Sequence, residues 1–132
     1  MIAAVLRVPP HDRLCGSFKS GEPLKFKQQR IAFGDTFATA DRVLGFGLTE
    51  LCWNGPAEDL KKSVHTQPAL LTHSVAAWRL VRAAGLTPAY TAGHSLGEYS
   101  ACVAAGAMSF EDALRVTSRR GELMYQAGLE RP

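Results

Sequence analysis

A serine between two glycines gives this sequence its clearest chemical signal, because residues 93–97 are Gly-His-Ser-Leu-Gly. The G-x-S-x-G pattern is typical of a nucleophile elbow, a sharp turn between a strand and a helix that exposes the serine hydroxyl. Ser95 is therefore the candidate nucleophile. The backbone N–H of Leu96, at the start of the following helix, is a candidate donor to an oxyanion. The alternative is that Gly93 and Gly97 are merely small residues at a tight turn.

Arg120 is the second candidate, within a helix predicted from Ser109 to about Ala127. Helical spacing puts it on a face whose other members are all apolar: Ala113, Val116, Leu123, Met124 and Ala127. A charge on such a face is costly unless it is paired. Two interpretations stay open: an ion pair with a buried carboxylate, or a guanidinium that binds a substrate carboxylate bidentately. Arg119 lies on the opposite, polar side, where we expect it to be solvated.

No histidine is an evident catalytic base. In the α/β-hydrolase order the base follows the serine, but none of the four histidines comes after His94. Neighbouring side chains on an elbow point in different directions, so the His94 ring is not expected to serve Ser95. His65 is expected in a turn, His73 as an ordinary helix residue, and His11 in the N-terminal segment.

The elements that would position these residues follow the order helix, strand, elbow, helix. Periodicity and capping residues predict helices at residues 35–44, 48–53, 56–62, 66–84, 96–105 and 109–127. Asp35 is expected to cap the first helix and Thr66 the long one. The broad apolar face of the long helix predicts packing against a sheet. This is α/β organisation, although only one or two strands are visible.

Composition limits the classes of function. The sequence is 46% hydrophobic and 20% charged, which favours a core-forming domain. No apolar run approaches the roughly 20 residues of a membrane span, and no membrane partner is expected. The widely spaced Cys15, Cys52 and Cys102 lack metal-ligand spacing and favour a reduced, cytoplasmic protein. Residues 1–30 hold six basic and two acidic groups, but no recognition motif accompanies them, so nucleic-acid binding is not expected.

Four segments, taken together, resemble malonyl-CoA:acyl-carrier-protein transacylase, the acyltransferase that loads malonyl groups in bacterial fatty-acid synthesis. The segments are residues 40–46, 66–70, 93–101 and 118–124. The resemblance implies that residues 35–132 form part of a hydrolase-like, three-layer α/β subdomain, after an irregular basic leader at 1–34. It implies ping-pong acyl transfer between malonyl-CoA and acyl carrier protein, without a metal or bound organic cofactor.

The resemblance also implies roles for individual residues. Ser95 would carry the malonyl ester, and the Leu96 amide would form half of the oxyanion hole. Arg120 would hold the malonyl carboxylate, and Gln67 would line the active site.

The sequence departs from the family pattern at both ends. Family members begin with a strand that leads into a Pro-Gly-Gln-Gly-Ser-Gln loop, which residues 1–34 lack. The family's catalytic histidine and its ferredoxin-like small subdomain are absent as well. We therefore expect a truncated or misassembled gene product. Two alternatives stay open: a serine hydrolase of the α/β type, which gives no reason for Arg120, and a non-catalytic fragment, which the missing base favours.

Overall fold

Six helices and two short strands make up the described chain. The computed structural model describes residues 2–5 and 26–130, with side chains from Phe33 onward. In chain order the elements are β1 (Ile2–Val5), α1 (Phe26–Leu44), α2 (Leu48–Asn54), α3 (Ala57–Leu60), α4 (Ser63–Ala83), β2 (Tyr90–Gly93), α5 (Leu96–Ala104) and α6 (Phe110–Glu130). The strands pair antiparallel, with Ile2 opposite Gly93. Among the described helices, none combines the length and apolar character that crossing a membrane requires.

The corner between α1 and α2 is fixed by the side chain of Asp41. Gly45 ends α1 with a φ of +74°, a conformation that glycine adopts without a steric penalty. Thr49, in the first turn of α2, donates to the Asp41 carboxylate from its backbone N–H (2.9 Å) and from its hydroxyl (2.6 Å). Asp41 thus satisfies an N–H at the start of α2 that has no partner within the helix.

Helix α4 lies at the centre of the core. It packs most extensively against α6, and also against α1 and α5. Leu71 and Val75 of α4 are fully buried. Their neighbours in the same cluster come from the surrounding helices: Ala40, Leu48, Phe110, Ala113 and Leu114. Burial of this apolar surface is the main favourable contribution to folding.

Within the described part of the chain, α4 does not pack mainly against the sheet as predicted, because helices α1 and α6 cover its buried face. Val81, expected on the apolar stripe of this helix, is 37% exposed, and Leu70, expected to widen that stripe, is 51% exposed. The helix also begins earlier than predicted. The Lys62 carbonyl already accepts the first helical hydrogen bond, from the Thr66 N–H at 2.8 Å, so Lys62 rather than Thr66 occupies the capping position.

Helix α1 begins at Phe26 and not at Asp35. Both Gly34 and Asp35 lie on its exposed side. A glycine there weakens a helix by about 1 kcal/mol without ending it. Most of the basic segment, at residues 6–25, lies outside the described residues, and the domain division after residue 34 stays a prediction.

The expected succession of strand, turn and helix around Ser95 is present, since β2 leads into α5. The three-layer arrangement of the subdomain stays a prediction.

Candidate active site

Ser95 lies at the turn between β2 and α5 in a conformation that an L-amino acid rarely adopts. Its φ is +55° and its ψ is −112°. Among the described residues other than glycine, it alone has a positive φ. Such a backbone costs on the order of 1–3 kcal/mol and persists only where the surrounding structure enforces it. The strained turn leaves Ser95 exposed, as a nucleophile elbow requires.

Close contact between two glycines enforces this turn. A Cβ atom built on Gly93 would lie 2.0 Å from the carbonyl carbon of Gly97 and 2.1 Å from its oxygen. Real Cβ atoms do not approach backbone atoms so closely, so only glycine fits at position 93. The bare backbone of β2 therefore packs directly on the first turn of α5 and fixes Ser95 between them.

Arg120 of α6 contacts the Ser95 hydroxyl. Its Nη2 donates to Ser95 Oγ at 2.9 Å, and its Nη1 donates to Gln67 Oε1 at 2.6 Å. The ion pairs of the described chain all join at least partly exposed side chains three residues apart in the sequence, and none includes Arg120. The interpretation of Arg120 as half of a structural ion pair therefore finds no support among the described residues.

Gln67 of α4 holds the guanidinium through a side chain that is only 6% exposed. Its Oε1 accepts from Arg120, and its Nε2 donates to the sulfur of Met124 at 3.1 Å. The two contacts use opposite ends of the amide, which sets its orientation. Because Met124 lies one turn after Arg120 on α6, Gln67 bridges two successive turns of that helix.

Three of the four predicted site residues are thus brought together, since Arg120 bonds to both Ser95 and Gln67. Leu96, the fourth, is the first residue of α5, where the backbone N–H has no acceptor within the helix. The N–H groups of Gly97 and Glu98 are directed at carbonyls of the elbow itself, those of His94 (2.9 Å) and Ser95 (3.2 Å).

The predicted apolar face of α6 is largely wrong. The buried residues of this helix are Phe110, Ala113, Leu114, Thr117 and Gly121, and only Ala113 belongs to the predicted set. Leu123 and Met124 are about half exposed. The sequence pattern counted apolar side chains alone, whereas the buried face also includes Thr117 and Gly121, and Gly121 packs against the backbone of α4. Arg119 is exposed and paired with Glu122 at 2.8 Å, which confirms its prediction as a solvated residue.

Three of the misassigned residues lie on an open surface of α6 instead. Val116, Leu123 and Met124 form its apolar part, and the arginines of the same helix border it: Arg115, Arg119 and Arg120.

None of the three described histidines bonds to Ser95. His94 is exposed. The His65 ring is 2.8 Å from the Asp59 carbonyl through Nδ1 and packs edge-on to Phe46. His73 packs edge-on to Phe33. The fourth histidine, His11, lies outside the described residues.

The arrangement places an arginine guanidinium and a helix N-terminus next to an exposed hydroxyl. Both stabilise negative charge, so the site suits a nucleophile that attacks a carbonyl and an acyl group that carries an anion. No group of three or more potential metal-ligating side chains occurs among the described residues.

Sequence reasoning missed Met124 as a partner of Gln67, and it assigned no role to Ser63 or Gly121. A glycine in the middle of a predicted helix was the available signal, since such a residue often marks close packing.

Comparison with known proteins places this geometry in a family. The acyl transferase domain family matches residues 24–132. The malonyl CoA-acyl carrier protein transacylase of Salmonella typhimurium is 53% identical over 94 residues, which are 70% of this chain and 30% of that relative. The chain thus spans less than a third of that relative's length.

Solved structures agree with the sequence matches. An acyl carrier protein S-malonyltransferase from Vibrio cholerae is 50% identical with a TM-score of 0.73, covering 77% of this chain and 34% of that one. A malonyl-transacylase in complex with a type II polyketide synthase acyl-carrier protein is 45% identical with a TM-score of 0.72, covering 85% and 37%. The chain therefore belongs to the acyl transferase domain family, and the resemblance to malonyl transacylases is confirmed.

Proposed function

We propose that this chain carries the acyl-binding part of an acyltransferase that moves a malonyl group from coenzyme A to the phosphopantetheine thiol of an acyl carrier protein. The observation that carries the proposal is the 2.9 Å contact between Arg120 Nη2 and Ser95 Oγ. In a malonyl thioester one CH₂ group separates the free carboxylate from the reacting carbonyl. A guanidinium that touches the nucleophile can therefore bind that carboxylate while the carbonyl is attacked.

In the first half-reaction, Ser95 Oγ attacks the thioester carbonyl carbon. The new C–O bond forms as the C–S bond breaks, and coenzyme A leaves as a thiol after taking up the serine proton. In the second half-reaction, the carrier's thiol attacks the ester. Its C–S bond forms, the C–O bond breaks, and Ser95 regains a proton. Both steps exchange an acyl group between oxygen and sulfur without redox chemistry, so the proposal includes no metal or organic cofactor.

Arg120, Gln67 and Leu96 have separate parts in this scheme. Arg120 binds the malonyl carboxylate through its planar fork of N–H donors. Gln67 accepts from Nη1 and leaves Nη2 free to exchange Ser95 for the carboxylate. The Leu96 N–H, at the positive end of α5, donates to the oxyanion that forms on the attacked carbonyl.

Relatives suggest the setting of this reaction. The Salmonella protein is named for malonyl-CoA and acyl carrier protein, and the complex contains an acyl-carrier protein of polyketide synthesis. We therefore place the chain in fatty-acid or polyketide synthesis, in the cytoplasm, within the three-layer α/β subdomain expected of the family.

A non-catalytic fragment is the second candidate, because one observation favours it. The described residues put neither a histidine nor a carboxylate in hydrogen-bond contact with Ser95. A nucleophile without a base retains only weak catalysis. The carboxylate-binding site would then persist without turnover.

Intact-mass spectrometry after exposure to malonyl-CoA tests the proposal. We expect a malonyl adduct that maps to Ser95, is absent from Ser95→Ala, and is transferred to acyl carrier protein bearing phosphopantetheine. An adduct that passes only to water would identify a hydrolase instead. No adduct, from a chain that circular dichroism shows to be folded, would favour the non-catalytic fragment.

A further inference from the structure

A close backbone contact between α4 and α6 lies one residue from Arg120. A Cβ atom built on Gly121 would lie 2.4 Å from the Ser63 carbonyl oxygen and 3.1 Å from the Val64 Cα. Both neighbours are backbone atoms at the start of α4, so neither can turn away as a flexible side chain would. Position 121 therefore admits only glycine at the present separation of the two helices.

Polar contacts tie the helices together at the same place. The Ser63 hydroxyl donates to the Gly121 carbonyl at 2.8 Å. One turn further along α4, Gln67 accepts from Arg120 at 2.6 Å and donates to the Met124 sulfur at 3.1 Å. The separation of α4 and α6 at Gly121 thus determines whether Arg120 can reach Gln67.

We propose that Gly121, held by Ser63, is a positioning residue that sets the selectivity of the Ser95 site for carboxylated acyl groups. This inference rests on the function proposed above. Without a side chain at 121, α6 lies close enough for Arg120 to contact both Gln67 and Ser95. An added methyl group forces the helices apart and moves the guanidinium, whereas the elbow, built from β2 and α5, stays in place.

Such a displacement affects malonyl and acetyl groups differently. A misplacement of about 1 Å can change a rate about 100-fold when it moves a group that binds the reacting molecule. Only the malonyl group has a carboxylate for Arg120 to hold. A shift of Arg120 therefore slows malonyl loading and leaves acetyl loading nearly unchanged, whereas general damage to the fold slows both alike.

The test compares Gly121→Ala with Gly128→Ala, a matched change on the same helix at a glycine with no atom within 4 Å of a built Cβ. Initial rates of Ser95 acylation are measured with malonyl-CoA and with acetyl-CoA. We expect Gly121→Ala to lower the malonyl rate about 100-fold with little change in the acetyl rate, and Gly128→Ala to match the wild type. An equal loss for both acyl groups in a folded variant would overturn the proposal.

Ser63→Ala provides a second variant, because it removes the hydrogen bond to Gly121 without a clash. We expect a smaller fall in the malonyl-to-acetyl ratio, in the same direction. If Gly121→Ala does not fold, an unchanged ratio in Ser63→Ala would overturn the proposal.

A readout independent of acylation separates this inference from the proposed function. If the wild type carries no acyl group, the proposed function fails, and the NMR signals of the Arg120 guanidinium, assigned with Arg120→Gln, still report its hydrogen bonds. We expect slow exchange of the guanidinium protons with water in the wild type and in Gly128→Ala. In Gly121→Ala we expect fast exchange. If Gly121→Ala does not fold, Ser63→Ala should show the fast exchange instead. Unchanged signals in the folded variant would contradict the inference.

Discussion

The guanidinium of Arg120 donates to the hydroxyl of Ser95 across 2.9 Å, although the two residues are 25 positions apart. Ser95 Oγ accepts this bond, so its own proton stays available to a base. The nearby positive charge favours the developing alkoxide over the neutral hydroxyl. Under the proposed function, an incoming carboxylate would compete with Ser95 for Nη2 while Gln67 keeps Nη1. In the proposed function the same contact would connect the nucleophile with the recognition of an anionic acyl group.

The strain at Ser95 predicts that glycine stabilises the fold at this position. Ser95→Gly should raise the free energy of unfolding by about 1 kcal/mol relative to Ser95→Ala, because only glycine relaxes a φ of +55°. Both variants lose the hydroxyl, so the difference between their free energies of unfolding isolates the cost of the strained backbone. Urea denaturation measures it, and equal stabilities would contradict the strained elbow.

The contact between Gly93 and Gly97 predicts a large effect of a single methyl group. Gly93→Ala should lower the free energy of unfolding by about 1–3 kcal/mol or more, because its Cβ would lie 2.0 Å from backbone. Gly34→Ala is the matched control, since a Cβ there meets nothing within 4 Å and alanine favours a helix by about 0.5–1 kcal/mol. Thermal melting of both variants checks the prediction, which a stable Gly93→Ala would refute.

The buried face of α6 predicts a large loss of stability when one of its leucines is replaced and a small loss when another is replaced. Leu114 is fully buried, whereas Leu123 is 50% exposed. Leu114→Ala should therefore cost about 2–5 kcal/mol of stability, and Leu123→Ala about 0.5 kcal/mol or less. Denaturant titration distinguishes them. A larger loss of stability in Leu123→Ala than in Leu114→Ala would support the apolar face that the sequence pattern predicted.

The two described cysteines should differ in reactivity with pH. Burial raises the pKa of the Cys52 thiol above its ordinary value, and the Asp41 carboxylate adds to the effect. Since the thiolate is the reactive form, iodoacetamide should modify exposed Cys102 first near pH 8. The labelling rate of Cys52 should approach that of Cys102 only as the pH rises past the ordinary thiol range. Peptide mass mapping follows both sites, and faster labelling of Cys52 at pH 8 would contradict its partly buried environment.

The fold retains Cys52 as the neutral thiol, which has a consequence for stability. Below the ordinary thiol pKa, Cys52 is protonated in both the folded and the unfolded chain. The fold then keeps the full stability that the neutral thiol allows. As the pH rises further, the unfolded chain loses the proton first, so the fold loses stability.

Local signals in the sequence were sufficient to predict the elbow. Gly93, Ser95 and Gly97 are close together in the chain, and their pattern has one sterically reasonable geometry. The same holds for α6, which was predicted to start at Ser109, because the Ser109 hydroxyl accepts from the Asp112 N–H at 3.0 Å.

Contacts between distant helices could not be predicted in this way. Periodicity placed Arg120 on an apolar face, but the structure buries Leu114 and Thr117 and leaves Leu123 exposed. A hydrophobicity pattern weighs large side chains most, whereas the α4–α6 contact depends on the absence of a side chain at Gly121. Gln67 was predicted as a site residue from the resemblance to a family, and not from the hydrophobic periodicity.

The most direct test of the central claim compares Arg120→Ala with Arg119→Ala in the ratio of malonyl to acetyl loading on Ser95. Arg119 is the matched control, because it is the adjacent arginine of the same helix and pairs with Glu122 at the surface. The account predicts that Arg120→Ala abolishes the preference for malonyl-CoA and that Arg119→Ala keeps it. Equal ratios in the two variants would show that Arg120 does not recognise the carboxylate.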